Sequence, residues 1–246
     1  MRALAIPLVV LLLVVDLRGA EPQVRPALIG NGPNALINLL DTKKLMEKGQ
    51  GDGLLMFTCH VNLNGKVQFY YVYRETPGSK LLKEEAGSAL WACRFIPAIY
   101  NGHHTEVSVA GTVVFLVKGG KPHLRIYMNQ NHDDIAKGND FIAPQLLTNT
   151  VGWETARSDP AVVKASLYRK PGAIQLFITV DANGNQKGLN AILEDPPGIG
   201  LGDAERSIYA KARWIPGFRN GHPVECTFDY AEWFVFGAPA RPWTPR

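Results

Sequence analysis

Val61-Asn62-Leu63-Asn64-Gly65, followed by Arg94-Phe95-Ile96-Pro97 and Asn101-Gly102-His103, decides the fold because it occurs twice. Val180-Asp181-Ala182-Asn183-Gly184, Arg213-Trp214-Ile215-Pro216 and Asn220-Gly221-His222 each lie 119 positions further on, with no gap between them. Glu75, Pro77 and Leu82 match Glu194, Pro196 and Leu201 at the same offset. Beyond the second turn, Glu106 and Phe115 match Glu225 and Phe234. A constant offset through two Asn-Gly turns and the Pro between them marks a tandem duplication of one small unit.

Working outward, Leu55, Phe57, Cys59 and Val61 alternate with Met56, Thr58 and His60, and Ile174, Leu176, Ile178 and Val180 alternate with Gln175, Phe177 and Thr179. A period of two predicts a strand with one buried face. Each strand reaches Asn-Gly, whose tolerance of positive φ predicts a two-residue type I′ hairpin. Val67 to Arg74 and Lys187 to Leu193 are the returning strands. A helix follows: Leu82, Ala86, Ala89, Leu90 and Cys93 share a face in the first copy, and Leu201, Ile208, Tyr209 and Ala212 in the second. Asp203 is the expected N-cap, and Pro97 and Pro216 stop the helices, with Phe95 and Trp214 buried beside them. A second Asn-Gly turn leads to a last strand, Glu106 to Val117 and Glu225 to Phe236. The expected fold class is α+β: two tandem copies of a small antiparallel sheet with one helix packed on it.

The run Val-Asp-x-Asn-Gly, then Ala212-Arg213-Trp214-Ile215-Pro216, then Asn220-Gly221-His222-Pro223-Val224, resembles the TonB C-terminal domain family. The first copy carries the same pattern at Val61 to Gly65, Cys93 to Ala98 and Asn101-Gly102. The resemblance implies that partners bind by adding a strand to a sheet edge. The last strand of each copy is then the candidate edge, with Glu106 and Ser108 in the first copy and Glu225, Thr227 and Asp229 in the second.

Residues 1–20 read as a signal peptide. Arg2 precedes the apolar run Ala3 to Val15, which is shorter than the ~20 residues that span a bilayer. Export to the periplasm or beyond is expected, an inner-membrane anchor being the alternative. The divisions that follow are 21–118 and 141–237 for the two copies, 119–140 for a linker and 238–246 for a Pro-rich tail. Pro33 to Lys48 reads as one helix ended by Gly49 to Gly53. His123 to Met128 could add a short strand to the linker, and Asp159-Pro160 marks a helix start. A hydrophobic share of 46% supports real cores. The net charge of +4, without a Lys/Arg cluster, speaks against nucleic acid as a partner.

Little else carries chemistry. Cys59 and Cys93 fall on core-facing positions of one copy, where they would be either a disulfide or two buried thiols. Asn129 to Asp140 resembles a calcium loop but has Asp134 where Gly belongs and Asp140 where Glu belongs. His103, His104 and His222 follow turns without ligand spacing, and Gly198 to Gly202 lacks the spacing of a dinucleotide loop. Arg94 and Arg213 would either clamp a partner's carboxylate or complement a helix dipole. The expectation is a non-catalytic protein-binding module of the cell envelope, without cofactor or metal. Its partner would be an envelope or outer-membrane protein, and self-association through sheet edges stays open. A membrane-anchored energy transducer is one alternative. The other is an exported hydrolase using His132, Asp133, Asp134 and a turn histidine.

Overall fold

The computed structural model describes residues 23–128, 136–138, 140–149, 160 and 172–234. Its first stretch contains β1 (Val24–Arg25), α1 (Leu36–Leu39), α2 (Thr42–Glu47), β2 (Gly53–Val61), β3 (Val67–Glu75) and α3 (Lys80–Ala92). Then come β4 (Ala98–Tyr100), β5 (His103–Thr105), β6 (Val107–Lys118) and β7 (Lys121–Tyr127). After β8 (Phe141–Ile142) and β9 (Gln145–Leu147) the chain forms β10 (Gly172–Val180), β11 (Gln186–Asp195) and α4 (Leu201–Tyr209). It continues as β12 (Trp214–Ile215), β13 (Gly217–Arg219), β14 (His222–Val224) and β15 (Cys226–Phe234). The architecture is α+β, with antiparallel sheets and few helices.

Alternation places Leu55, Phe57, Cys59 and Val61 of β2 in one core and Ile174, Leu176, Ile178 and Val180 of β10 in another. Onto these faces α3 sets Leu82, Ala86, Ala89 and Leu90, and α4 sets Leu201, Ala204, Ile208 and Tyr209. In the first half, β2 pairs with β3 and β6; in the second, β10 pairs with β11 and β15. Volume is traded between facing strands. Phe57 lies opposite Gly111, where a Cβ would meet the Phe57 ring, and the same cross-strand position in the second half holds Leu176 opposite Tyr230.

The recurrence extends upstream of the stretch seen in the sequence. Val24 and Arg25 pair with Tyr100 and Ile99, and Phe141 and Ile142 pair with Arg219 and Phe218. Leu28 bridges Ile96 as Gln145 pairs with Ile215. An arm preceding each half therefore docks at the same place, offset by 117 positions where the later elements are offset by 119.

Several expectations change. The first Asn-Gly of each half is not a type I′ turn. Gly65 and Gly184 have positive φ but Asn64 and Asn183 do not, and the Gly65 N–H donates back to the Asn62 carbonyl at 2.9 Å. This is a three-residue loop with a left-handed glycine. It is set by a side chain: Asn62 Oδ1 accepts from the N–H groups of Asn64 and Lys66 (2.9 and 3.0 Å), and Asp181 Oδ1 does the same for Asn183 and Asn185 (2.9 Å each). The type I′ geometry belongs to the second pair, Asn101-Gly102 and Asn220-Gly221, where both residues have positive φ. Pro33 to Lys48 is two short helices, because Asp41 Oδ1 accepts from the Lys44 N–H (2.9 Å) and starts α2 afresh. Asp203 is not the N-cap of α4. Gly200 occupies that position, Asp203 pairs with Arg206 at 2.8 Å, and Glu194 accepts from the Leu201 N–H at 2.7 Å. Phe95 and Trp214 are buried at the helix exits as expected. The signal-like segment, Asn129 to Ile135, Asp159 and the tail lie outside the described residues.

Candidate functional site

The two last strands, β6 and β15, differ in what borders them. On its far side from β2, β6 is filled twice. Residues Thr112 to Lys118 pair with Tyr127 to Lys121 of β7, and Val107 and Ser108 pair with Leu147 and Leu146 of β9. The Thr148 N–H donates to the Glu106 carbonyl at 3.2 Å, and Ser108 is buried. Glu106 and Ser108 therefore do not line an open edge, because an incoming strand would have to displace β7 and β9.

Among the described residues, β15 is hydrogen-bonded to a strand on one side only, that of β10. Glu225, Thr227 and Asp229 are exposed. Thr227 sits opposite Thr179, their hydroxyls 2.8 Å apart, and Asp229 sits opposite Phe177. The alternation that buries Phe228 turns these side chains to solvent. β15 also approaches β3, itself an outermost strand, without pairing with it. Burial there pushes the Tyr73 phenol up to about 12, with Arg74 opposing the shift and Asp229 adding to it.

The arms tie the halves together. β9 pairs with β6 on one side and with β12 on the other. Leu147 enters the first core and Leu146 the second. Gln145 is buried and clamps Ala27 of the first arm: the Ala27 N–H donates to Oε1 (2.7 Å), and Nε2 donates to the Ala27 carbonyl (2.9 Å). The sequence reading missed this clamp. The sequence marks only a Gln beside apolar residues; the burial that obliges its amide to find partners comes from the fold.

The groups considered for catalysis do not converge among the described residues. His103 and His104 on β5 and His222 on β14 are exposed, and His132, Asp133 and Asp134 lie outside the described residues. Among the described residues, no group of three or more His, Cys, Asp or Glu is placed to hold a metal ion. A shallow cleft of about 210 Å³ between α2 and α3 is lined by Lys44, Lys48, Glu84, Glu85 and Ser88. In it Lys44 meets Glu85 at 2.6 Å, and that hydrogen bond raises the lysine's pKa. A lysine held in its charged form is unsuited to act as a base.

Cys59 and Cys93 are buried thiols without a disulfide. Burial raises the Cys59 pKa strongly and pushes Cys93 up to about 11, so neither is a ready nucleophile. Arg213 Nη1 donates to Asn185 Oδ1 at 3.4 Å, bracing the loop after β10. Among the described residues, no helix is long and apolar enough to cross a membrane. Comparison with protein-family models, curated proteins and solved structures finds no match to this chain.

Proposed function

We propose that this chain is an exported, non-catalytic protein-binding module of the cell envelope that receives an extended segment of a partner along β15. One observation carries the reading: among the described residues β15 pairs with a strand on one side only, whereas on the corresponding side its counterpart β6 pairs with β9 at Val107 and Ser108 and with β7 from Thr112 to Lys118. The position is thus one at which this fold takes up a strand. In such recognition main-chain hydrogen bonds supply affinity, and side chains add selectivity. The recurring hairpin, helix and long strand support the likeness to a tandem pair of TonB-type C-terminal domains, in which partners are engaged this way. The apolar run after Arg2 supports export.

The test compares Thr227→Pro with Thr227→Ala as baits in envelope extract, once circular dichroism shows that both fold. Proline removes a donor and obstructs a ladder, whereas alanine leaves the backbone intact. The proposal expects the alanine variant to retain the partner and the proline variant to lose it. Equal capture by both would refute an accepting edge at this strand.

A further inference from the structure

The contact between the two halves has an accepting side and an inserting side, and the repeat gives each a counterpart that lacks the same contact among the described residues. On the accepting side, β9 covers Val107 and Ser108, leaving Ser108 only 5% exposed. The counterpart of Ser108 in the second half is Thr227, which is exposed on a strand that pairs only with β10 among the described residues. On the inserting side, Gln145 and Leu146 pair along β12, and Ile215 packs into the first core at 0% exposure. Their counterparts in the first half are Leu28, Ile29 and Ile96. Leu28 bridges Ile96 just as Gln145 pairs with Ile215, yet Ile96 is 39% exposed. An isoleucine that is core in one half is surface in the other.

We propose that molecules of this chain associate head to tail, with Leu28, Ile29 and Ile96 of one copy docking on the edge at Glu225 and Thr227 of the next. The inference rests on the strand-accepting reading of β15 and names a second copy as its occupant. Such a contact is heterologous, so it builds open chains or closed rings and not only a symmetric dimer. It is weaker than the contact within the chain for two reasons. The tether between the halves raises their effective concentration, and the Gln145–Ala27 clamp has no counterpart, since Leu28 and Pro144 stand at those positions.

Sedimentation velocity of the full chain from about 1 to 300 μM, the range of weak contacts, decides it. The wild type should gain mean mass with concentration. Ile96→Lys should stay monomeric while keeping the N-terminal apolar run, which assigns the assembly to this surface. Thr227→Pro, where folded, should also stay monomeric. Mixed in equal amounts, the two variants should form dimers and nothing larger, because one intact tail meets one intact head. A wild type that is monomeric throughout overturns the proposal, as does a mixture that stays monomeric while the wild type assembles. Should Thr227→Pro not fold, Ile96→Lys added to wild type must cap the chains and lower their mean mass; no lowering overturns it. A monomeric wild type whose Thr227→Pro variant still loses a foreign partner would remove this inference and leave the strand-accepting reading intact.

Discussion

At Gly65 and Gly184 a Cβ would lie 2.0 Å from the carbonyl oxygen of Phe95 and of Trp214, and φ is +74° and +81°. Both the conformation and the space exclude a side chain there, and the Phe95 N–H in turn donates to the Gly65 carbonyl at 2.9 Å. Gly184→Ala should destabilise the chain by more than about 1 kcal/mol, read as a lower urea midpoint at unchanged slope; an unchanged midpoint would refute the close approach. Asp181, three positions earlier, accepts hydrogen bonds from the backbone N–H groups of Asn185 and Asn183, which lower its pKa from 3.8. A folded pKa below the unfolded one contributes stability that is present above the unfolded value and lost as pH falls through the folded value. Asp181→Asn, which imports the Asn62 solution of the first half, should keep the turn and flatten the acid limb of stability below about pH 4, the ordinary range of an aspartate. An unaltered acid limb would show that the carboxylate does not hold the loop. The glycine was legible in the sequence as a turn residue; the approach of a carbonyl from beyond the helix was not, because that contact is non-local.

Strands β2 and β10 and the faces of α3 and α4 followed from periodicity alone, because each buries one face against one neighbour. Trp214 also followed. It stacks on Tyr209 with ring centroids 5.9 Å apart and meets Phe228 edge-on at 5.4 Å. Trp214→Ala should cost about 3–5 kcal/mol in chemical denaturation, and a loss below about 1 kcal/mol would place the ring outside the core. The misread elements share one cause, a polar side chain that satisfies backbone groups before the regular pattern can. Asn62 and Asp181 replaced the type I′ geometry, and Asp41 divided one helix into two. Strand β7 was only partly anticipated, since Lys121 to Tyr127 alternates weakly and its place is fixed by the partner, β6.

Across the whole molecule, β7 and the arm before the second half together close the outer side of β6. β9 is three residues long and has no pattern of its own, yet it joins β6 to β12 and sends Leu146 and Leu147 into different cores. Nothing local in Gln145-Leu146-Leu147 announces this, which is why Glu106 and Ser108 read as an edge and are not one. The central claim is that β15 keeps an accepting side where β6 does not. Amide hydrogen exchange of the dilute chain, resolved residue by residue, tests it most directly. The account predicts protection along the whole of Val107 to Phe115. In β15 it predicts exchange at least ~100-fold faster at the amides that face away from β10 than at those that face it. Uniform protection along β15, matching that of β6, would contradict the claim.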